Sequence, residues 1–230
     1  FVLLLTMAAR SASATIWYVA PDGTGSGTSW QEAGPLQATV TAASSGDEVW
    51  VAAGTYTAAT DPVLTMKAGV SLYGGFSGTE RERGQRDWKA NLTTIDGQDT
   101  RRCVNGANDA VLDGFTIRNG KGTNGGGMAN VEVSPTISNC TFISNHAETG
   151  GGIYNKLNTV TIRDTSFVNN LAYEGGGVYN LTAETTIRGC TFEANTAGDD
   201  VSHTGSGAGI YNSNTTMNLS ESRFLNNTVK

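Results

Sequence analysis

The densest run of reactive side chains in this sequence lies between positions 96 and 113, where Asp96, Asp99, Arg101, Arg102, Asp109 and Asp113 crowd together. Carboxylates this close to guanidinium groups are the material of general acid–base chemistry. A network of ion pairs has the same composition, and the sequence leaves both readings open. Tyr154, Tyr179 and Tyr211 recur at spacings of 25 and 32 residues. On an outward face such a row could stack on sugar rings or on a partner surface; otherwise the rings pack beneath lateral loops. Asp199, Asp200 and His203 lie in the stretch GDDVSHTG and could touch a calcium ion, although a hydrophilic loop needs the same residues. The tandem Gly-Gly-x-Gly-x-Asp calcium repeat is absent, so neither calcium nor any other cofactor is indicated. Arg163, Arg188 and Asp164 are what any solvated face carries. No residue is assigned a catalytic role.

These residues sit on a repeat. GGGMAN (125–130), GGGIYN (150–155), GGGVYN (175–180) and GAGIYN (207–212) are spaced by 25, 25 and 32 residues. An F-x-x-N block ending at Asn145, Asn170, Asn195 and Asn227 has the same spacings, so the seven extra residues around 198–205 form an insertion between equivalent rungs. Between the motifs lie short, alternating, β-branched segments such as Thr159–Arg163, with no helical periodicity after Thr94. Stacked β coils are the architecture this requires. At about 3.3 Å per strand residue, each coil is expected to hold about three strands and three corners. Aligned rungs give inward columns: Leu112, Ile137, Ile162, Ile187 and Leu219; Ile117, Phe142, Phe167, Phe192 and Phe224; Met128, Ile153, Val178 and Ile210. Cys140 and Cys190 share a further column two rungs apart, and with Cys103 they read as unpaired interior thiols. Two asparagine columns, Asn130/155/180/212 and Asn145/170/195/227, are expected to mark corners, because asparagine tolerates left-handed backbone and pairs its amide with those above and below. The glycine triplets resemble phosphate loops only superficially, since strands rather than a helix N-terminus follow them.

The first half is less regular. Trp30–Ala43 offers Leu36, Val40 and Ala43 on one helical face, a cap over the open end of the coil. Strands follow near 47–56, 70–76 and 94–97, with a charged lateral loop from Gly78 to Asn91. The apolar start FVLLLTMAAR followed by SASA reads as a signal-peptide remnant with cleavage before Thr15. The organisation expected is therefore a signal remnant (1–14), an N-terminal strand and capping helix (15–47), and a parallel β-helix truncated at its C-terminus (48–230). A net charge of −6 with scattered charges argues against nucleic acid and against an anionic lipid surface, and no segment is long and apolar enough to span a membrane.

The helix followed by GDEVWVAAGTY, SLYGGFSGTE, QRDW and TIDG resembles the N-terminal part of secreted bacterial proteins of the pectin-lyase-like superfamily. The alternation of GGGIYN with FxxN is similar to the GGA(I/L/V) and FxxN repeats of chlamydial polymorphic outer membrane proteins. The resemblance implies an all-β, right-handed, single-stranded parallel β-helix of about 25 residues per coil with an N-terminal capping helix. It implies a secreted or cell-surface bacterial protein, which is then expected to be an adhesive or carbohydrate-contacting scaffold with polysaccharide or a cell-surface glycan as partner. In that superfamily lyases use an Arg or Lys base beside calcium-binding carboxylates, and hydrolases use several Asp on neighbouring rungs. Polysaccharide lyase or glycoside hydrolase activity is accordingly the alternative. The candidate contact residues are Tyr154, Tyr179, Tyr211, Asp96, Arg101 and Arg102.

Overall fold

The computed structural model describes residues 14–198 and 204–230. Its repeated unit closes into a parallel β-helix whose coil visits four sheets, one more than the expected three. In one coil, Thr136–Ser138 lies in the first sheet, Thr141–Ile143 in the second, His146–Thr149 in the third and Ile153–Lys156 in the fourth, before Thr159–Arg163 returns to the first. The third sheet escapes the sequence pattern because its inward residues are small. Gly122 pairs with Ala147 and Ala172 with Ala197, leaving no large apolar alternation to read. Register follows the repeat: Ile137 pairs with Ile162, Ile162 with Ile187, and Ile187 with Leu219 across the longer interval.

From Gly114 onward each complete coil turns at four left-handed residues. In the coil ending at Leu157 they are Asn139 (φ 52°), Ser144 (φ 55°), Gly150 (φ 66°) and Leu157 (φ 53°). An L-residue there costs about 1–2 kcal/mol, which is why Asn, Asp and Gly recur at these corners. Of the two asparagine ladders, one stands at a corner as expected and the other does not. Asn130, Asn155, Asn180 and Asn212 lie inside fourth-sheet strands, one paired above another. Asn145, Asn170 and Asn195 follow the left-handed residue of the second corner and are buried. Their role is internal hydrogen bonding rather than backbone handedness. Asn155 Nδ2 donates to Asn180 Oδ1 at 2.8 Å, and Asn145 Nδ2 to Asn170 Oδ1 at 2.9 Å.

The inward columns form one continuous core. Phe142, Phe167, Phe192 and Phe224 stack with centroids 5.2, 4.7 and 4.8 Å apart. A single rung could not bury these rings; each covers the next. Gly151 must lack a side chain because a Cβ there would stand 2.6 Å from Gly176 O of the next rung. Cys103, Cys140 and Cys190 are buried free thiols. Burial pushes Cys103 and Cys140 up to about 12 and Cys190 up to about 11.

At the other end, helix α1 (Leu36–Ala42) buries Leu36, Thr39 and Val40 and packs on β1 (Ile16–Val19) and β2 (Glu48–Ala52). The helix is shorter than Trp30–Ala43 because Pro35 stands at its N-cap in extended conformation. β1 pairs in parallel with β2 and so begins the first sheet. Asp47 joins cap to coil by accepting from Thr15 N, Trp17 Nε1 and Ser44 N. Residues 1–13 lie outside the described residues, and so does nearly all of the segment read as a signal remnant.

Candidate functional site

The acidic and basic cluster resolves into separate structural clamps. Asp96 accepts from Arg118 Nε at 2.8 Å, from Gln98 N at 2.8 Å and from Asn119 Nδ2 at 3.2 Å. Burial pushes its carboxyl up, but these donors outweigh it and hold Asp96 below the usual carboxylate range. Arg101 donates to Gln98 Oε1 at 2.7 Å. The Arg102 guanidinium is bound to Gly125 O, Asn105 Oδ1 and Asn124 O at 2.8–2.9 Å, while its backbone N–H donates to Asp61 Oδ1. Asp113 forms a buried ion pair with Arg86 and also accepts from Ser138 Oγ and Asn139 Nδ2. Asp99 and Asp109 are left-handed corner residues. These groups are spread over several corners, and no hydrogen bond or ion pair joins Asp96 to Arg101 or Arg102.

The tyrosine row is not the open surface that one of its two readings requires. Strand alternation does turn it outward on the fourth sheet, opposite the inward Ile153 and Asn155. Yet Tyr154 and Tyr179 are only 6% and 9% exposed. The rings lie face to face along the axis, Tyr154 on Tyr179 at 5.3 Å and Tyr179 on Tyr211 at 4.9 Å, both tilted by 13°. One-rung spacing brings identical rings to stacking distance, so each covers its neighbour. Burial raises both the Tyr154 and Tyr179 phenols above the ordinary value. Arg188 pairs with Glu221 through two bonds of 3.0 and 3.1 Å at the surface. Asp199, Asp200 and His203 lie outside the described residues. Among the described residues no group of three or more His, Cys, Asp or Glu side chains could hold a metal ion.

What the structure brings together instead is a groove of roughly 530 Å³ over the third sheet. Lys121 and His146 occupy adjacent rungs in register. Glu148 lies two residues beyond His146 on the same face of the strand, and Tyr173 follows Glu148 on the next rung, its N–H donating to Glu148 O. Asp61 and Arg102 close the groove from the preceding coils. Arg102 is held there by three carbonyl acceptors, and burial draws its guanidinium below its ordinary value, with Asp61 opposing. The side chains of Lys121, His146 and Glu148 make no hydrogen bond or ion pair among the described residues. Sequence reasoning missed all three because it counted three strands per coil. The signal was the outward alternation in KGTN and HAET, whose inward partners are only Gly122 and Ala147.

The fold defines a class. The family model for the right handed beta helix region matches residues 83–229, and the chain belongs to that family. Among solved structures, the crystal structure of pectate lyase Pel9A is similar at 13% identity, covering 85% of this chain and 58% of that one with a TM-score of 0.46. The chain thus spans less than two thirds of that structure's length. No curated protein matches the chain.

Proposed function

We propose that this chain is an extracellular or cell-surface β-helix scaffold of bacterial origin that contacts polysaccharide through the groove over its third sheet. The observation that carries the reading is the set Lys121, His146 and Glu148, unpaired within the described residues, facing one concavity with Tyr173 at the next rung. Donors and acceptors of both charges beside an aromatic ring suit a polyhydroxylated chain laid across successive rungs. The test is a glycan array with the whole chain, followed by titration calorimetry on each hit. Lys121→Ala combined with Glu148→Ala is expected to weaken binding at least tenfold; unchanged binding, or an array without hits, refutes the proposal. Protease shaving of intact source cells checks the surface location.

Polysaccharide cleavage is the second reading, favoured by one observation. The same groove holds the Lys121 amino group, an imidazole at His146 and carboxyl groups at Asp61 and Glu148, side chains of the kinds that serve in general acid–base catalysis. Release of unsaturated products from uronate polymers, lost in Lys121→Ala, supports lyase chemistry. Binding without products leaves the scaffold reading standing alone.

A further inference from the structure

A second concavity, of roughly 320 Å³, lies at the corner between the first and second sheets, away from the third-sheet groove. The charged loop after Phe76 is fastened there with unusual care. Arg86 pairs with buried Asp113, donates to Gly74 O at 2.9 Å, and lies over the Tyr73 and Trp88 rings with its guanidinium carbon 5.1 and 5.0 Å from their centroids. Gly75 is required because a Cβ there would stand 2.6 Å from Trp88 Cα. The consequence is that Trp88, half-buried, and Leu92, 56% exposed, line the slot.

The strand face beneath offers a column of hydroxyls. Thr116, Thr141 and Ser166 are paired in register on three consecutive rungs of the second sheet, and their side chains form no hydrogen bond among the described residues. One-rung spacing puts these hydroxyls about 4.8 Å apart along the axis. Asp164 and Lys89 also line the slot, and their opposite charges leave it without net charge.

We infer that this slot is a binding site for a neutral oligosaccharide, one sugar face against Trp88 and its hydroxyls exchanging hydrogen bonds with Thr116, Thr141, Ser166 and Asp164. An aromatic surface beside polar groups of both kinds matches the two faces of a pyranose ring. The absence of net charge disfavours a polyanion. The site is independent of the third-sheet groove, sharing no residue with it.

The experiment follows the indole N–H resonance of Trp88, assigned by its loss in Trp88→Phe, during titration of the whole chain with β-1,4-linked hexamers of glucose, xylose and mannose and with hexagalacturonate. A saturable shift with at least one neutral hexamer, weakened fivefold or more in Thr141→Val combined with Ser166→Ala, is expected. That pair removes surface hydroxyls without touching the clamp at Arg86, so loss of binding is not loss of the loop. No shift with any neutral hexamer, a shift with hexagalacturonate alone, or binding unchanged in the double variant overturns the proposal. Because the signal is read at Trp88, its outcome is separate from that of the third-sheet groove.

Discussion

The buried asparagine ladder of the second corner makes a sharp prediction for Asn170→Ala. Asn170 Oδ1 accepts from Asn145 N at 3.1 Å and from Asn145 Nδ2 at 2.9 Å, while Asn170 Nδ2 donates to Phe142 O and to Asn195 Oδ1, both at 2.9 Å. Alanine keeps the backbone N–H bond to Asn195 Oδ1 at 3.0 Å but strands the Asn145 N–H and an Asn145 amide proton, while the Phe142 carbonyl keeps its place in the strand ladder. At about 1–3 kcal/mol for each of these two buried unsatisfied groups, and allowing a water to enter the vacated space, the cost is about 2–4 kcal/mol. The neighbouring Asn169→Ala is the control. Asn169 is exposed, its side chain bonds nothing, and Ala194 holds the equivalent left-handed corner one coil later, so the control should cost under about 1 kcal/mol. Urea denaturation would be followed by far-UV dichroism and by tryptophan emission. All four tryptophans lie at or before position 88, so emission reports the N-terminal coils and dichroism the whole solenoid. In a stacked array a defect at one rung need not unfold distant rungs, and the dichroism midpoint should fall further than the emission midpoint. A loss below about 1 kcal/mol, or one equal to the control, would refute the claim that the ladder's hydrogen bonds hold the coils together.

Three further outcomes follow from the same structure. Asp113→Asn leaves the Arg86 guanidinium, whose side chain is 9% exposed, without its counter-charge; thermal unfolding should register about 3–5 kcal/mol of destabilisation, with Trp88 emission shifting as its loop loosens. Asp47, Glu80 and Asp96 are each pushed up by burial but held below their ordinary values by stronger hydrogen bonding. Their contribution is present above the unfolded-state carboxylate range and is lost as pH falls through the lower folded values, so denaturant titrations should show stability declining below about pH 4. Cys103, Cys140 and Cys190, with thiols raised to about 12, 12 and 11, should resist an aromatic disulfide reagent at pH near 8 until urea unfolds the chain, whereupon all three react.

Much of this fold was legible because identical residues recur at identical intervals. The spacing from Val178 to Ile210 predicts their pairing even across the longer interval, and it is observed. The phenylalanine and isoleucine columns carry enough volume to reveal an interior. Gly122, Ala147, Ala172 and Ala197 carry too little, so the third sheet stayed hidden, together with the outward Lys121, His146 and Glu148 that it presents. The tyrosine row was legible as a row but not as a closed one, since ring-on-ring burial depends on a side-chain tilt that spacing does not specify. The partners of Asp96 and Asp113 lie 22 and 27 residues away. Charge density alone could not distinguish two such clamps from one reactive patch.

The two ladders also show why repetition leaves function to the positions off its rhythm. A column of side-chain amides is directional, each Nδ2 donating to the Oδ1 of the next rung, so its first member needs an outside donor. Asn145 has one, because its Oδ1 accepts from Gly120 N at 2.9 Å. Asn130 does not: its rung below is Gly106, and its buried Oδ1 has no partner among the described residues. The defect falls only at the ladder's start, since every later member inherits a donor from the rung before it. A repeated asparagine is thus saturated by its own copies and offers nothing to a ligand. Lys121 stands one rung before His146 and Glu148, and the three are different residues with no copies to pair with, while the hydroxyls of Thr116, Thr141 and Ser166 reach outward without finding one another. The groups left free to bind are those that the repeat cannot pair.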